Sequence, residues 1–225
     1  MKRWLFPLCL ALFGLAFAQD PTLPGKPGPN DALVRVAHLV SDGPKVDILN
    51  GDKKVFEELA YKDVTPYAPV PAGEVTFAVV ETTKTTPRLL EVKVKLEAGK
   101  RYTIAAMGTA KQLQGQVLND DFNIDPNQAT VRVVHASADT PAVDVAVKGG
   151  TVLFKGLSFG KASAFTGVKE GTYDLEVRPA GKTEVALPLS GLAFASGKVY
   201  TVFAVGSSAD KTLDAVVVED TYSLQ

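Results

Sequence analysis

Apolar and polar residues alternate with a period of two over short stretches, and glycine, proline, asparagine or serine closes most of them. Val131, Val133 and His135 fall on one side of the chain and Arg132, Val134 and Ala136 on the other. Val143, Val145 and Val147 alternate in the same way with Asp144, Ala146 and Lys148. That period is the repeat of a pleated strand with one buried face. Further β-rich stretches lie at 152–155, 162–168, 172–178, 185–189, 199–205 and 213–219. Turn signals separate them at Gly149-Gly150, Glu170-Gly171, Pro179-Ala180-Gly181, Ser196-Gly197 and 207–210. No stretch carries a helical period. The pattern predicts an all-β chain built as an antiparallel β-sandwich, immunoglobulin-like or transthyretin-like. Glu170-Gly171-Thr172-Tyr173 has the form of a tyrosine corner, with Val75 at the matching place in the first half.

The pattern occurs twice. LVRVAHLVSDGPKVDI from Leu33 returns as TVRVVHASADTPAVDV from Thr130, so that Arg35, His38, Asp42, Pro44 and Asp47 fall on Arg132, His135, Asp139, Pro141 and Asp144 at a constant shift of 97. The shift then becomes 98, taking Phe56, Leu59, Gly73, Tyr102 and Gly108 to Phe154, Leu157, Gly171, Tyr200 and Gly206. Units of this length are whole domains rather than solenoid repeats. The expected organisation is a signal peptide at 1–18, a Pro-rich linker at 19–30, a first sandwich at 31–121, a linker at 122–128 and a second sandwich at 129–225.

The runs VRVVHASADTPAVDV, LFKGLSFG and GTYDLEVRPAG resemble a bacterial exported family known as domain of unknown function 4397. Both copies resemble it over nearly their whole length. The first departs where Leu39 and Lys45 stand for Ala, and Tyr61-Lys62 for Phe-Gly. The resemblance implies a tandem β-sandwich of the bacterial envelope and brings no catalytic residues with it.

Met1-Lys2-Arg3, the apolar run Leu5–Phe17 and Ala16-Phe17-Ala18 form the three parts of a secretory signal, with Gln19 as the first mature residue. Cleavage removes Cys9 and Trp4 and leaves 22 basic against 25 acidic residues. The mature chain then holds its fold without disulfides. It shows no later membrane-spanning run, and no basic surplus suited to nucleic acid. Periplasm, cell surface and extracellular medium all remain open as its location.

Chemistry-bearing groups are few. His38 and His135 are the only histidines of the chain. Each ends a first strand and is expected to donate to a loop carbonyl or to Asp42 or Asp139 in the next turn. These four residues, with Asp121 and Asp125, are the candidate metal ligands, although one imidazole beside scattered carboxylates falls short of a zinc set. Asp120, Asp121, Asn123 and Asp125 offer oxygens for Ca²⁺, but the run lacks the glycine and terminal glutamate of an EF-hand loop and Pro126 interrupts it. Arg35 with Asp47 and Arg132 with Asp144 are expected to form exposed pairs on the strand faces opposite the apolar stripe. Gly156-Leu157-Ser158-Phe159-Gly160 matches G-x-S-x-G, but that elbow needs a strand-to-helix turn and a later histidine. The sequence therefore predicts no catalytic residues, no cofactor and no bound metal. Its expected role is that of a non-enzymatic envelope module for a protein or polysaccharide partner. The alternative is a small-molecule or metal carrier using the His/Asp corner of each repeat.

Overall fold

A computed structural model describes residues 27–84 and 86–220. The expected signal peptide and most of the Pro-rich linker lie outside the described residues. Repeat 1 comprises β1 (Asp31–His38), β2 (Val46–Asn50), β3 (Lys53–Leu59), β4 (Ala68–Pro71), β5 (Gly73–Glu81), β6 (Leu90–Leu96), β7 (Arg101–Thr109) and β8 (Gln112–Asn119). Repeat 2 comprises β9 (Ala129–His135), β10 (Val143–Val147), β11 (Val152–Leu157), β12 (Thr166–Val168), β13 (Gly171–Pro179), β14 (Leu187–Phe194), β15 (Val199–Val205) and β16 (Asp214–Glu219). The described residues contain no helix.

These strands form four sheets of four. Repeat 1 stacks β4-β1-β7-β8 on β3-β2-β5-β6, and repeat 2 stacks β12-β9-β15-β16 on β11-β10-β13-β14. Pairing is antiparallel except in one place per sandwich, where β1 runs parallel to β7 and β9 parallel to β15. Period-two alternation sends Val34, Val36, Ile48, Phe77 and Ile104 into the core of repeat 1. Val131, Val133, Val145, Val177 and Val202 fill that of repeat 2. Tyr173 donates its hydroxyl to the Lys169 carbonyl at 2.7 Å, the bond a tyrosine corner makes.

The face opposite each apolar stripe is also buried. Ala37, Leu39, Ala105, Met107 and Leu118 of repeat 1 join Val134, Ala136, Phe203 and Val205 of repeat 2 in a third apolar cluster. The β1 and β9 sheets are therefore the two inner layers of the molecule, covered on both sides, and the β2 and β10 sheets are the outer ones. Burying a side chain such as Phe203 contributes about 1.5–3 kcal/mol. The seam between the repeats is thus an apolar interface, and the short linker does not carry the joint alone.

Candidate functional site

The two histidine corners hold four of the six candidate ligands, His38, Asp42, His135 and Asp139. His38 and His135 end β1 and β9 on the inward face and are 2% and 1% exposed. Each Nε2 meets a loop carbonyl at 3.0 Å, Pro44 for His38 and Pro141 for His135. A carbonyl only accepts, so Nε2 carries the proton. Burial pushes both imidazoles below their ordinary pKa and keeps them neutral. Of the two partners expected for each histidine, the loop carbonyl is the one used. Asp42 accepts instead from the Ala110 amide at 2.8 Å. Asp139 accepts from the amides of Ser208 and Ala209 and the hydroxyl of Ser207 at 3.1, 2.9 and 2.8 Å. These aspartates tie the first loop of each repeat to its last hairpin. The His/Asp corner does not assemble as a ligand set, and no group of three or more metal-ligating side chains occurs among the described residues.

The expected pairs Arg35–Asp47 and Arg132–Asp144 are not formed, and neither arginine is exposed. Asp47 accepts from the Glu58 amide at 2.8 Å and Thr82 Oγ1 at 3.0 Å, and pairs with Lys54 at 2.7 Å. Asp144 accepts from the amides of Gly156 and Gly181 at 2.7 and 2.9 Å. Glu58 and Gly156 occupy matching bulges at φ 54° and 61°. A recurring aspartate therefore fixes a recurring bulge in β3 and β11, where the ladder register slips. The first glycine of G-x-S-x-G is that bulge residue, and the run continues into a turn, not a helix.

The arginines point into the seam between the repeats. Arg35 is 1% exposed and reaches Asp220 of repeat 2 at 2.7 Å, while its Nε donates to Thr103 Oγ1 at 2.7 Å. Arg132 pairs in return with Asp120 of repeat 1 and donates from Nε to Thr201 Oγ1 at 2.9 Å. Thr103 donates to Asp120 at 2.5 Å, and Thr201 donates to Asp220. Tyr67 adds a donor to Asp120 at 2.6 Å and lies under the Arg35 guanidinium, as Phe165 lies under that of Arg132. Burial pulls the Arg35 pKa down, but Asp220, Tyr67 and Asp120 together outweigh it and hold the guanidinium charged. Burial, then Asp120, pushes the Tyr67 phenol upward, so it stays protonated and donating. Each arginine is thus neutralised by an aspartate from the other repeat, about a pseudo-two-fold axis through the seam. The sequence concealed this arrangement because the polar face of β1 reads as a solvent face. One signal was available: Asp120 and Asp220 directly follow the last strand of each copy, 100 residues apart, with Thr103 and Thr201 also matched.

The acidic joint is dispersed. Asp120 is buried in the seam, Asp121 meets Lys100 at 3.3 Å, and Asp125 accepts from the Asn127 amide and Gln128 Nε2 at 2.9 and 2.7 Å. Their oxygens turn the backbone and do not converge.

On one side of the axis the seam stays open. Lys62 at φ 75° crosses to Asp214 at 2.6 Å, whereas its counterpart Gly160 at φ 77° has no side chain to cross with. Where Gly160 stands, a cleft of about 750 Å³ opens between β8, the linker and the start of repeat 2. Gln116, Asn119, Asn123, Gln128, Lys161 and Phe165 line it. Four of these groups are uncharged hydrogen-bonding amides, and the charged Asp121, Asp125 and Arg132 and a second ring, Phe122, also line the cleft.

Fold and seam define a tandem β-sandwich protein whose repeats are bonded through exchanged ion pairs. The chain belongs to the family described as a domain of unknown function (DUF4397), whose profile matches twice, over residues 32–146 and 129–225. No curated protein matches it. Among solved structures, the Bacillus anthracis TIE protein aligns at a TM-score of 0.26 and 8% identity, over 79% of this chain and 34% of that one. The chain spans about a third of that structure's length.

Proposed function

We propose that the chain is a non-enzymatic exported module of the bacterial envelope, whose interdomain cleft receives a polysaccharide or protein partner. One observation carries the reading. The buried ionisable groups that recur between the repeats are spent on the scaffold: the histidines on loop carbonyls, Asp47 and Asp144 on bulges, the arginines on the seam. Polar side chains outside that recurring set line the cleft instead. Its amides offer paired donors and acceptors, and Phe165 offers an aromatic face, a combination that suits the hydroxyl-rich surface of a sugar chain better than an apolar protein patch. The signal pattern at 1–18 supports export.

Residues 19–225 applied to an array of bacterial surface polysaccharides test the reading. Retention is expected, with about five- to thirtyfold weaker binding in the Gln116→Ala/Asn119→Ala variant and an unchanged melting temperature, since lost contacts of about 1–2 kcal/mol correspond to that range. Absence of retention on the array and in pull-downs from envelope fractions overturns it.

A further inference from the structure

The free edges of the four sheets are not protected alike. An edge strand presents unpaired amides and carbonyls to any other strand, and proteins blunt it with charge, proline, a bulge or short length. Each sheet has two such edges. β3, β6 and β11 carry lysines, and β3 and β11 also slip in register. β4 holds Pro69 and Pro71, and β12 has only three residues. β14 holds Pro188, and its ladder with β13 slips. β16 begins at Asp214 and ends at Glu219, which are joined to Lys62 and Lys198. β8 is the exception among the described residues. Its sequence, QLQGQVLN, contains no charge and no proline, and its ladder with β7 runs unbroken from Gln112 to Asn119. Gln114 and Asn119 stand where β16 has Asp214 and Glu219.

Register fixes which backbone groups of β8 are free. The Leu33 and Leu39 amides donate to the carbonyls of Lys100 and Ala106, so even-numbered residues of β7 face β1 and odd-numbered ones face β8. Their partners Gln112, Gln114, Gln116 and Leu118 spend their backbone on β7, and Leu113, Gly115 and Val117 direct theirs outward. Among the described residues no backbone group pairs with the amides of these three, and the Val117 carbonyl accepts from the side chain of its neighbour Gln116 at 3.2 Å. A Cβ at Gly115 would stand 2.2 Å from Val92 Cγ2. Packing against β6 therefore demands glycine there and leaves the middle of the edge without a side chain to shield it.

We propose that β8 pairs antiparallel with the β8 of a second copy of this chain, about a two-fold axis at Gly115. In that register Gly115 faces Gly115 of the second copy, Leu113 faces Val117, and Gln114 faces Gln116. Free amides then meet free carbonyls, apolar side chains lie beside apolar ones, and side-chain amides lie beside amides. The Gln116 side chain gives up its bond to the Val117 carbonyl and meets Gln114 instead. An edge without charge does not repel its own copy, and a self-complementary patch closes into a symmetric dimer. The four-stranded β8 sheets of the two copies join into one continuous sheet. β8 also borders the interdomain cleft, but the pairing uses its backbone edge and needs no ligand there.

Sedimentation of residues 19–225 without any polysaccharide tests the pairing, so its failure and that of the cleft reading are told apart. A dimer is expected, in exchange with monomer on dilution. Gln114→Asp copies the charge of β16 and sets two carboxylates on diagonal positions about 7–8 Å apart across the axis. It is expected to keep the far-ultraviolet circular dichroism of the wild type and to dimerise at least about tenfold more weakly, whereas the neutral Gln114→Asn dimerises as the wild type does. Positions 114 and 116 of opposite copies form a pair with Cα atoms about 4.5 Å apart, close enough for a disulfide. Residues 19–225 contain no cysteine. Oxidised Gln114→Cys/Gln116→Cys is therefore expected to run as a covalent dimer on a non-reducing gel. A wild-type chain that stays monomeric at every concentration, a dimer undiminished by Gln114→Asp, or a double-cysteine variant that does not cross-link each overturns the proposal.

Discussion

Asp139 shows how one side chain can join distant parts of a chain. Burial raises its pKa, but the donors from Ala209, Ser207, Ser208 and Ser137 outweigh that and bring it from 3.8 to about 2. A carboxyl depressed by folding contributes stability that is present above its unfolded value and lost as pH falls through its folded one. The wild-type chain is therefore expected to be more stable than Asp139→Asn at neutral pH, and the difference is expected to close between about pH 4 and pH 2. Urea midpoints measured across that range check it. The histidines were legible at this scale: strand alternation placed both rings on the inward face, and the loop carbonyl was one of the expected acceptors. The arginines were not. A guanidinium opposite an apolar stripe is normally solvated, and its true partners lie in the other repeat, outside the reach of any local pattern.

At the scale of elements, the turn glycines carry a backbone requirement. Gly108, the penultimate residue of β7, and Gly206, just after β15, stand at φ 100° and 90°, and a Cβ at either would stand 2.2 Å from the carbonyl oxygen of Gln112 or Thr212. Backbone cannot yield as a flexible side chain can. Gly206→Ala is expected to cost at least about 1–3 kcal/mol in equilibrium unfolding, while Gly149→Ala, also at positive φ but with nothing within 4 Å, is expected to cost less. The sequence marked these hairpins through glycines matched between copies. It did not reveal the parallel pairing of β1 with β7 and β9 with β15, because period-two alternation states which face is buried and is silent on which neighbour the strand takes.

Across the whole molecule, the apolar seam and its exchanged ion pairs join two sandwiches that sequence alone would let fold separately. Removing one member of a buried pair strands the other and typically costs about 3–5 kcal/mol. Asp120→Ala is expected to lose that much by chemical denaturation, against under about 0.5 kcal/mol for the neighbouring exposed Asp121→Ala. Calorimetry of the mature wild-type chain is expected to show one transition, and Asp120→Ala/Asp220→Ala to separate it into two. Duplication itself was plain from the recurring residues, whereas the docking of the copies was not, since both members of each ion pair look like ordinary strand-end polar residues. The exchange of partners has a lasting consequence for how such a gene can change. Because Arg35 meets Asp220 at 2.7 Å and the Asp120 of its own repeat only at 3.8 Å, while Arg132 pairs with Asp120, deleting either half would take from the surviving guanidinium its direct carboxylate partner. Recombination is therefore constrained to pass the two halves on together, as a single heritable block.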